Sequence, residues 1–238
     1  MISIIAHRGY SARFRENSPL AWSQAALAGA DVVEADIRFT ADGVAVCVHD
    51  KDLNRLLGRD EAIAALDYAT LADLTAGGEP VAPRFADALM AVPSSTSLLL
   101  DVKDESPEAL ERLDQLVKGA GNRDIILGLH RRDSVETMSK LGHARILGLT
   151  LERDDGEAFI DAGASIIRVW EADVTAARLK PLLGYPVPVW STTGDKGTSR
   201  LVGDFDPENL RRLAEAGVTG FLVNDPVGAR HALSGVSA

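Results

Sequence analysis

Eight short apolar runs alternating with helical patterns constrain this chain more than any other feature. The runs are 2–6, 32–37, 97–102, 124–129, 145–150, 165–169, 187–191 and 219–223. ISIIA, at the first of them, has the density of isoleucine expected of a buried strand. Helical periodicity fills the gaps, for example over 107–119, 133–141 and 207–216. Eight strand–helix units in 238 residues predict a single domain of the α/β class, a TIM (β/α)8 barrel over 1–238 with its chemistry at the C-terminal strand ends. Two segments interrupt the alternation. Residues 44–48 follow the turn signal Asp42-Gly43 and read as an antiparallel return arm to the second strand. Residues 51–83, with short polar pieces and Gly77-Gly78 before Pro80 and Pro83, read as a small insertion near the barrel mouth.

Residues 4–53 gather His7, Arg8, Glu16, Asn17, Glu34, Asp36 and His49. Two imidazoles can move protons, the carboxylates can hold a divalent cation, and an arginine can grip an anion. Cleavage of a phosphate ester at neutral pH needs that mixture. Along VVEADIRF, Val33, Ala35 and Ile37 fall on one face and Glu34, Asp36 and Arg38 on the other. A two-residue turn at Asp42-Gly43 pairs position 36 with 49, and a four-residue loop pairs 34 with 49. Either register puts His49 on the carboxylate face, whereas a three-residue loop does not. Burying two unpaired acids is expensive, and a cation between them relieves that cost. Oxygen donors without a cysteine cluster favour Mg²⁺ or Ca²⁺ over zinc. Asp101, at the end of the next parallel strand, is the candidate third ligand, with a side chain short enough to reach an ion through water.

The motifs His-Arg-Gly at 7–9, Glu-Asn-Ser at 16–18, Glu-x-Asp at 34–36, Asp-Gly at 42–43 and His-Asp at 49–50 resemble those of the glycerophosphodiester phosphodiesterase family. LLLDVK at 98–103, VPVWS at 187–191 and FLVNDP at 221–226 extend the resemblance nearly end to end. The family usually has Pro-Glu-Asn-Thr where this chain has Arg15-Glu16-Asn17-Ser18, Glu where it has Asp101, and Arg-Thr-Thr where it has Arg55-Leu56-Leu57. The resemblance implies metal-dependent hydrolysis of a small glycerophosphodiester to glycerol 3-phosphate and an alcohol. His7 and His49 are then the proton carriers, assigned as base and acid respectively in an order the sequence leaves open. The nucleophile is either water or the adjacent glycerol hydroxyl, the latter giving a cyclic phosphate. Arg8, Lys103 and Asn17 are the expected phosphate contacts, with helix capping the alternative for Asn17. Trp190 is the expected apolar wall for glycerol, with barrel filling as its alternative. Two other functions are compatible with the residues: a non-catalytic barrel binding phosphorylated metabolites, and a phospholipase D-like enzyme acting on lysophospholipids.

Glu16 is either a further ligand or a helix cap, and Arg168 ends a strand where it could touch substrate. His130, His143 and His231 read as structural or exposed, and Cys47 as a small hydrophobe. Gly194 and Gly197 mark a loop. A formal net charge of −10 argues against a nucleic-acid partner. One cysteine permits no intrachain disulfide. The N-terminal stretch has neither a basic region nor a long apolar segment, so no signal peptide or membrane span is expected and cytoplasm is the default. The sequence leaves the oligomeric state open.

Overall fold

The computed structural model describes residues 2–150, 156–195 and 197–236. The strands are β1 (Ser3–Ala6), β2 (Val32–Phe39), β3 (Ala45–Cys47), β4 (Thr75–Ala76), β5 (Glu79–Pro80), β6 (Ser97–Val102), β7 (Ile125–Leu129), β8 (Arg145–Leu149), β9 (Ile166–Trp170), β10 (Val189–Thr192) and β11 (Gly220–Val223). The helices are α1 (Pro19–Leu27), α2 (Asn54–Leu57), α3 (Tyr68–Ala72), α4 (Phe85–Ala91), α5 (Pro107–Gly119), α6 (Arg132–Leu141), α7 (Gly156–Asp161), α8 (Ala176–Leu182), α9 (Pro207–Glu215) and α10 (Pro226–Ala232). Parallel pairing runs β1-β11-β10-β9-β8-β7-β6-β2, and the β1–β2 pairing closes the ring. All eight runs form barrel strands, and the expected helices lie within a residue or two of their sequence bounds. Lys196, in the loop around Gly194 and Gly197, lies outside the described residues. Among those described, no helix is long and apolar enough to cross a membrane.

Helix boundaries follow their capping residues. Ser18, Ser106, Asp206 and Asp225 each accept a backbone N–H of the first turn through the side chain, with proline at the first or second helical position. The apolar stripes of these helices meet the outward faces of the strands in one large core that includes Trp22, Leu113, Leu213 and Phe221.

The return arm forms, but not in either expected register. Ile37 pairs with Cys47 and Phe39 with Ala45, so Thr40–Val44 is an odd-numbered loop. It is closed by the Thr40 N–H donating to the Val44 carbonyl at 3.0 Å, with Gly43 at φ 80°. Such a loop puts position 49 out of phase with Glu34 and Asp36, and the shared-face argument for His49 fails. Cys47 is buried in the outer core with Ala45, where burial pushes its thiol pKa up.

The segment 51–83 folds as α2, α3 and the β4–β5 hairpin around an apolar cluster of its own. Leu53, Ile63, Leu71, Val81 and Ala82 pack there on Val46 and Val48. Strand β3 is thus a shared wall, with odd positions in the barrel's outer core and even positions in the insertion's.

Candidate active site

Inward-pointing side chains alternate along each barrel strand, and a step of two residues separates an apolar floor from a polar mouth. Ile5, Val32, Leu99, Ile126, Ile166 and Trp190 belong to the floor. Two or four residues further along the same strands come His7, Glu34, Asp101, His130, Arg168 and Thr192, which line a cavity of about 310 Å³.

Glu34, Asp36 and Asp101 converge at this mouth, and each can offer one carboxylate oxygen within 4.8 Å of the others. The register pairs Asp36 with Asp101 directly across β2 and β6. Glu34 and Asp36 are each only 1% exposed. Burial and the neighbouring carboxylates push the Glu34 pKa well above its ordinary value. Burial opposes ionisation of Asp36 and Asp101 too, but Lys103 with Arg8 holds the first below the carboxylate range, and Lys103 with His130 holds the second there. Lys103 Nζ lies 2.9 Å from Asp36 Oδ1 and 2.7 Å from Asp101 Oδ2.

The Arg8-Gly9 pair shapes the wall beside Glu34. Arg8 has φ 55°, and its backbone N–H donates to Glu34 Oε2 at 2.5 Å. Gly9 has φ 82°, and a Cβ there would lie 2.7 Å from the Ala21 carbonyl carbon, so α1 packs where only glycine fits. Arg8 extends its guanidinium back to Glu16 (3.1 Å) and Asp36 (3.2 Å). The described non-glycine residues at positive φ are Arg8, Asn17 and Asp195. Two of these line the cavity and the third, Asn17, braces Asp36; strained backbone gathers at such places.

Hydrogen bonding fixes which nitrogen of each histidine is free. Asn224 Nδ2 donates to the Val202 carbonyl (2.8 Å) and Asp204 (3.0 Å), leaving Oδ1 to accept from His7 Nδ1 at 2.9 Å. His7 therefore carries its hydrogen on Nδ1 and keeps a lone pair on Nε2. Burial and the adjacent Arg8 lower its pKa to about 4, so it is neutral at pH 7. His49 Nδ1 faces Asp50 Oδ1 at 3.0 Å, and Arg55 holds the other Asp50 oxygen at 2.5 Å. His49 reaches the cavity although its strand has ended at Cys47, because Arg38 grips its carbonyl through Nε (3.1 Å) and Nη2 (2.8 Å).

Several assignments change. Asn17, 2% exposed, donates to Asp36 Oδ2 at 2.7 Å and accepts the Asp36 N–H at 3.1 Å. Both ends of its amide engage one residue, so it braces Asp36, and Ser18 is the cap of α1. Glu16 neither caps nor joins the acidic triad; it bridges Arg8 and Arg55. Trp190 is barrel filling, with its ring against Gly220 on the floor, and the aromatic at the mouth is Trp170. His130 is not a bystander, since its Nε2 contacts Asp101 Oδ1 at 2.9 Å inside the cavity. His143 pairs with Asp114 (2.7 Å) away from the site, and His231 is exposed on α10.

The sequence matches the family profile described as Glycerophosphoryl diester phosphodiesterase family over residues 7–227. It is 29% identical over 245 residues to the uncharacterized protein YqiK of Bacillus subtilis (strain 168), covering 95% of this chain and 96% of that one. To glycerophosphodiester phosphodiesterase 1 of Rattus norvegicus it is 52% identical over 54 residues, which is 23% of this chain but only 16% of that protein. Among solved structures, that of an Oleispira antarctica phosphodiesterase in complex with the product sn-glycerol-3-phosphate superposes with a TM-score of 0.83 at 18% identity, covering 98% of this chain and 96% of that one.

Proposed function

This chain belongs to the glycerophosphoryl diester phosphodiesterase family of enzymes, and from that premise we propose that it cleaves glycerophosphodiesters to glycerol 3-phosphate and an alcohol by metal-assisted acid–base catalysis at the barrel mouth. One observation carries this reading: three carboxylates from two neighbouring strands converge within 4.8 Å, and two of them, Glu34 and Asp101, line the same cavity as His7 and His49. The product named in the Oleispira antarctica complex supports glycerol 3-phosphate as the product here as well.

The donor set suits a hard divalent cation, Mg²⁺ or Ca²⁺. Its donors are all oxygen, and buried Glu34 stands among like charges with no cationic side chain in ion-pair contact among the described residues. Glu34, Asp36 and Asp101 would hold the ion, which supplies charge neutralisation at the phosphate oxygens. The remaining work falls to side chains. The attacking hydroxyl gives its proton to His7 Nε2. If it is that of water, glycerol 3-phosphate forms directly; if it is that of the adjacent glycerol carbon, a cyclic phosphate forms that a water then opens to glycerol 3-phosphate. His49, oriented through Nδ1 by Asp50, gives a proton from Nε2 to the departing alcohol oxygen. Arg8 and Lys103 supply positive charge beside the phosphate, and Asn17 keeps Asp36 in place. The insertion is read as the rim on the alcohol side, joined to the mouth by Arg55.

The direct test is release of glycerol 3-phosphate from glycerophosphocholine with EDTA, then with added Mg²⁺ or Ca²⁺. Turnover is expected only with the cation and is expected to vanish in Glu34→Ala and Asp36→Ala variants that keep the wild-type circular dichroism. Full activity in chelator overturns the metal-assisted reading.

A further inference from the structure

Arg168 is the cation of this cavity that the proposed reaction leaves idle. It points inward from β9, four strands around the ring from β2 in either direction and so across the barrel from Glu34 and Asp36. The residue is 4% exposed, and Nε and Nη1 have no hydrogen-bond partner. No carboxylate among the described residues stands within ion-pair distance of it. Its guanidinium lies on the Trp170 ring, 4.5 Å from the ring centre, and both residues line the cavity. A buried cation without a contacting counter-charge is costly. Burial, with the nearby Arg178, lowers the Arg168 pKa to about 10, and the charges of Asp101 and Asp173, neither in ion-pair contact with it, offset this only in part. Arg8 and Lys103, by contrast, are already paired with acids. A divalent ion in the triad and a singly charged diester would complete the charge balance on the β2–β6 side. Arg168 would still face the cavity unpaired.

We propose that Arg168, stacked on Trp170, is a second anion subsite, and that the preferred glycerophosphodiester carries a further oxyanion, a carboxylate or phosphomonoester, on its alcohol half. The proposal rests on the function given above. A planar guanidinium on an aromatic plate presents fixed donors to such a group and offers nothing to a choline cation.

Matched diesters isolate the added charge. Glycerophosphoserine differs from glycerophosphoethanolamine by one carboxylate, and glycerophosphoinositol 4-phosphate differs from glycerophosphoinositol by one phosphomonoester. With Mg²⁺ present, the wild-type enzyme is expected to favour at least one charged member by about tenfold or more in kcat/KM, the scale of a charge-assisted hydrogen bond. Which pair responds identifies the oxyanion. Arg168→Gln should erase that preference while moving the uncharged partner less than about threefold, and Arg168→Lys should restore part of it. Calorimetry in a Mg²⁺-loaded His49→Ala background reads the same difference as affinity, without turnover. Equal kcat/KM and affinity within both pairs overturns the subsite, as does an Arg168→Gln loss shared equally by charged and uncharged members. Selective binding with no glycerol 3-phosphate released from any diester overturns the hydrolytic reading and leaves the subsite standing.

Discussion

At the scale of single residues, the two histidines differ in a way that supports the proposed division into base and acid. His7 has its Nδ1 committed to Asn224 and its pKa lowered, whereas His49 is set against a carboxylate. General acid or base catalysis is worth about 10²–10⁴-fold, so His7→Ala and His49→Ala should each lose at least that in kcat, with a double variant far short of the product. A nitrophenyl leaving group, which departs without a proton, should rescue His49→Ala alone; rescue of His7→Ala instead reverses the roles. The His7 pKa also has a consequence for stability. Between pH 6.5, the ordinary histidine value, and about 4, the unfolded chain binds a proton that native His7 refuses. Stability from this residue therefore increases with pH through that window and is fully present above it, by about 3 kcal/mol. Urea midpoints measured in chelator should fall less between pH 7 and 4.5 for His7→Gln than for wild type. The carboxylates and His7 were readable from the sequence because strand ends and side-chain parity are local. His130 was not, since its partner Asp101 comes from a neighbouring strand. The odd loop at Thr40–Val44 defeated the argument for His49, which Arg38 then brings to the cavity by another route. Trp190 was given the right face but the wrong height, a property set by strand stagger that periodicity does not encode.

Among elements, the eight strands were legible because each is an apolar run bounded by helix caps and turns. The internal structure of 51–83 was not, because its cluster is assembled from single apolar residues spread over short pieces. Arg15 stands where the family pattern has proline. It clamps the insertion to the loop after β1, donating to the Pro80 carbonyl at 2.5 Å and the Val81 carbonyl at 2.7 Å. Arg15→Ala should leave the barrel melting transition within about 1 kcal/mol of wild type, since few surface contacts are worth more. Limited proteolysis should meanwhile cut 51–83 faster. Unchanged cleavage would show that the apolar cluster alone holds the segment.

For the whole molecule, the proposed cation site in the acidic triad would couple ion binding to folding. An ion that binds only the native state at a hundredfold excess over its Kd adds about 2.7 kcal/mol. Mg²⁺ or Ca²⁺ should therefore raise the melting temperature of wild type but not of Glu34→Gln or Asp36→Asn, as scanning calorimetry can read. A wild-type melting point indifferent to both ions counts against the triad as a cation site. The two-sided β3 carries a different implication. Because its odd and even positions serve separate apolar cores, and the other ties across the boundary include the polar grips of Arg15 and Arg55, the barrel and the insertion are interchangeable parts. The rim can be exchanged for one of another shape without repacking the floor beneath the cavity, so that, on the proposed function, the choice of alcohol would change while the reaction is inherited.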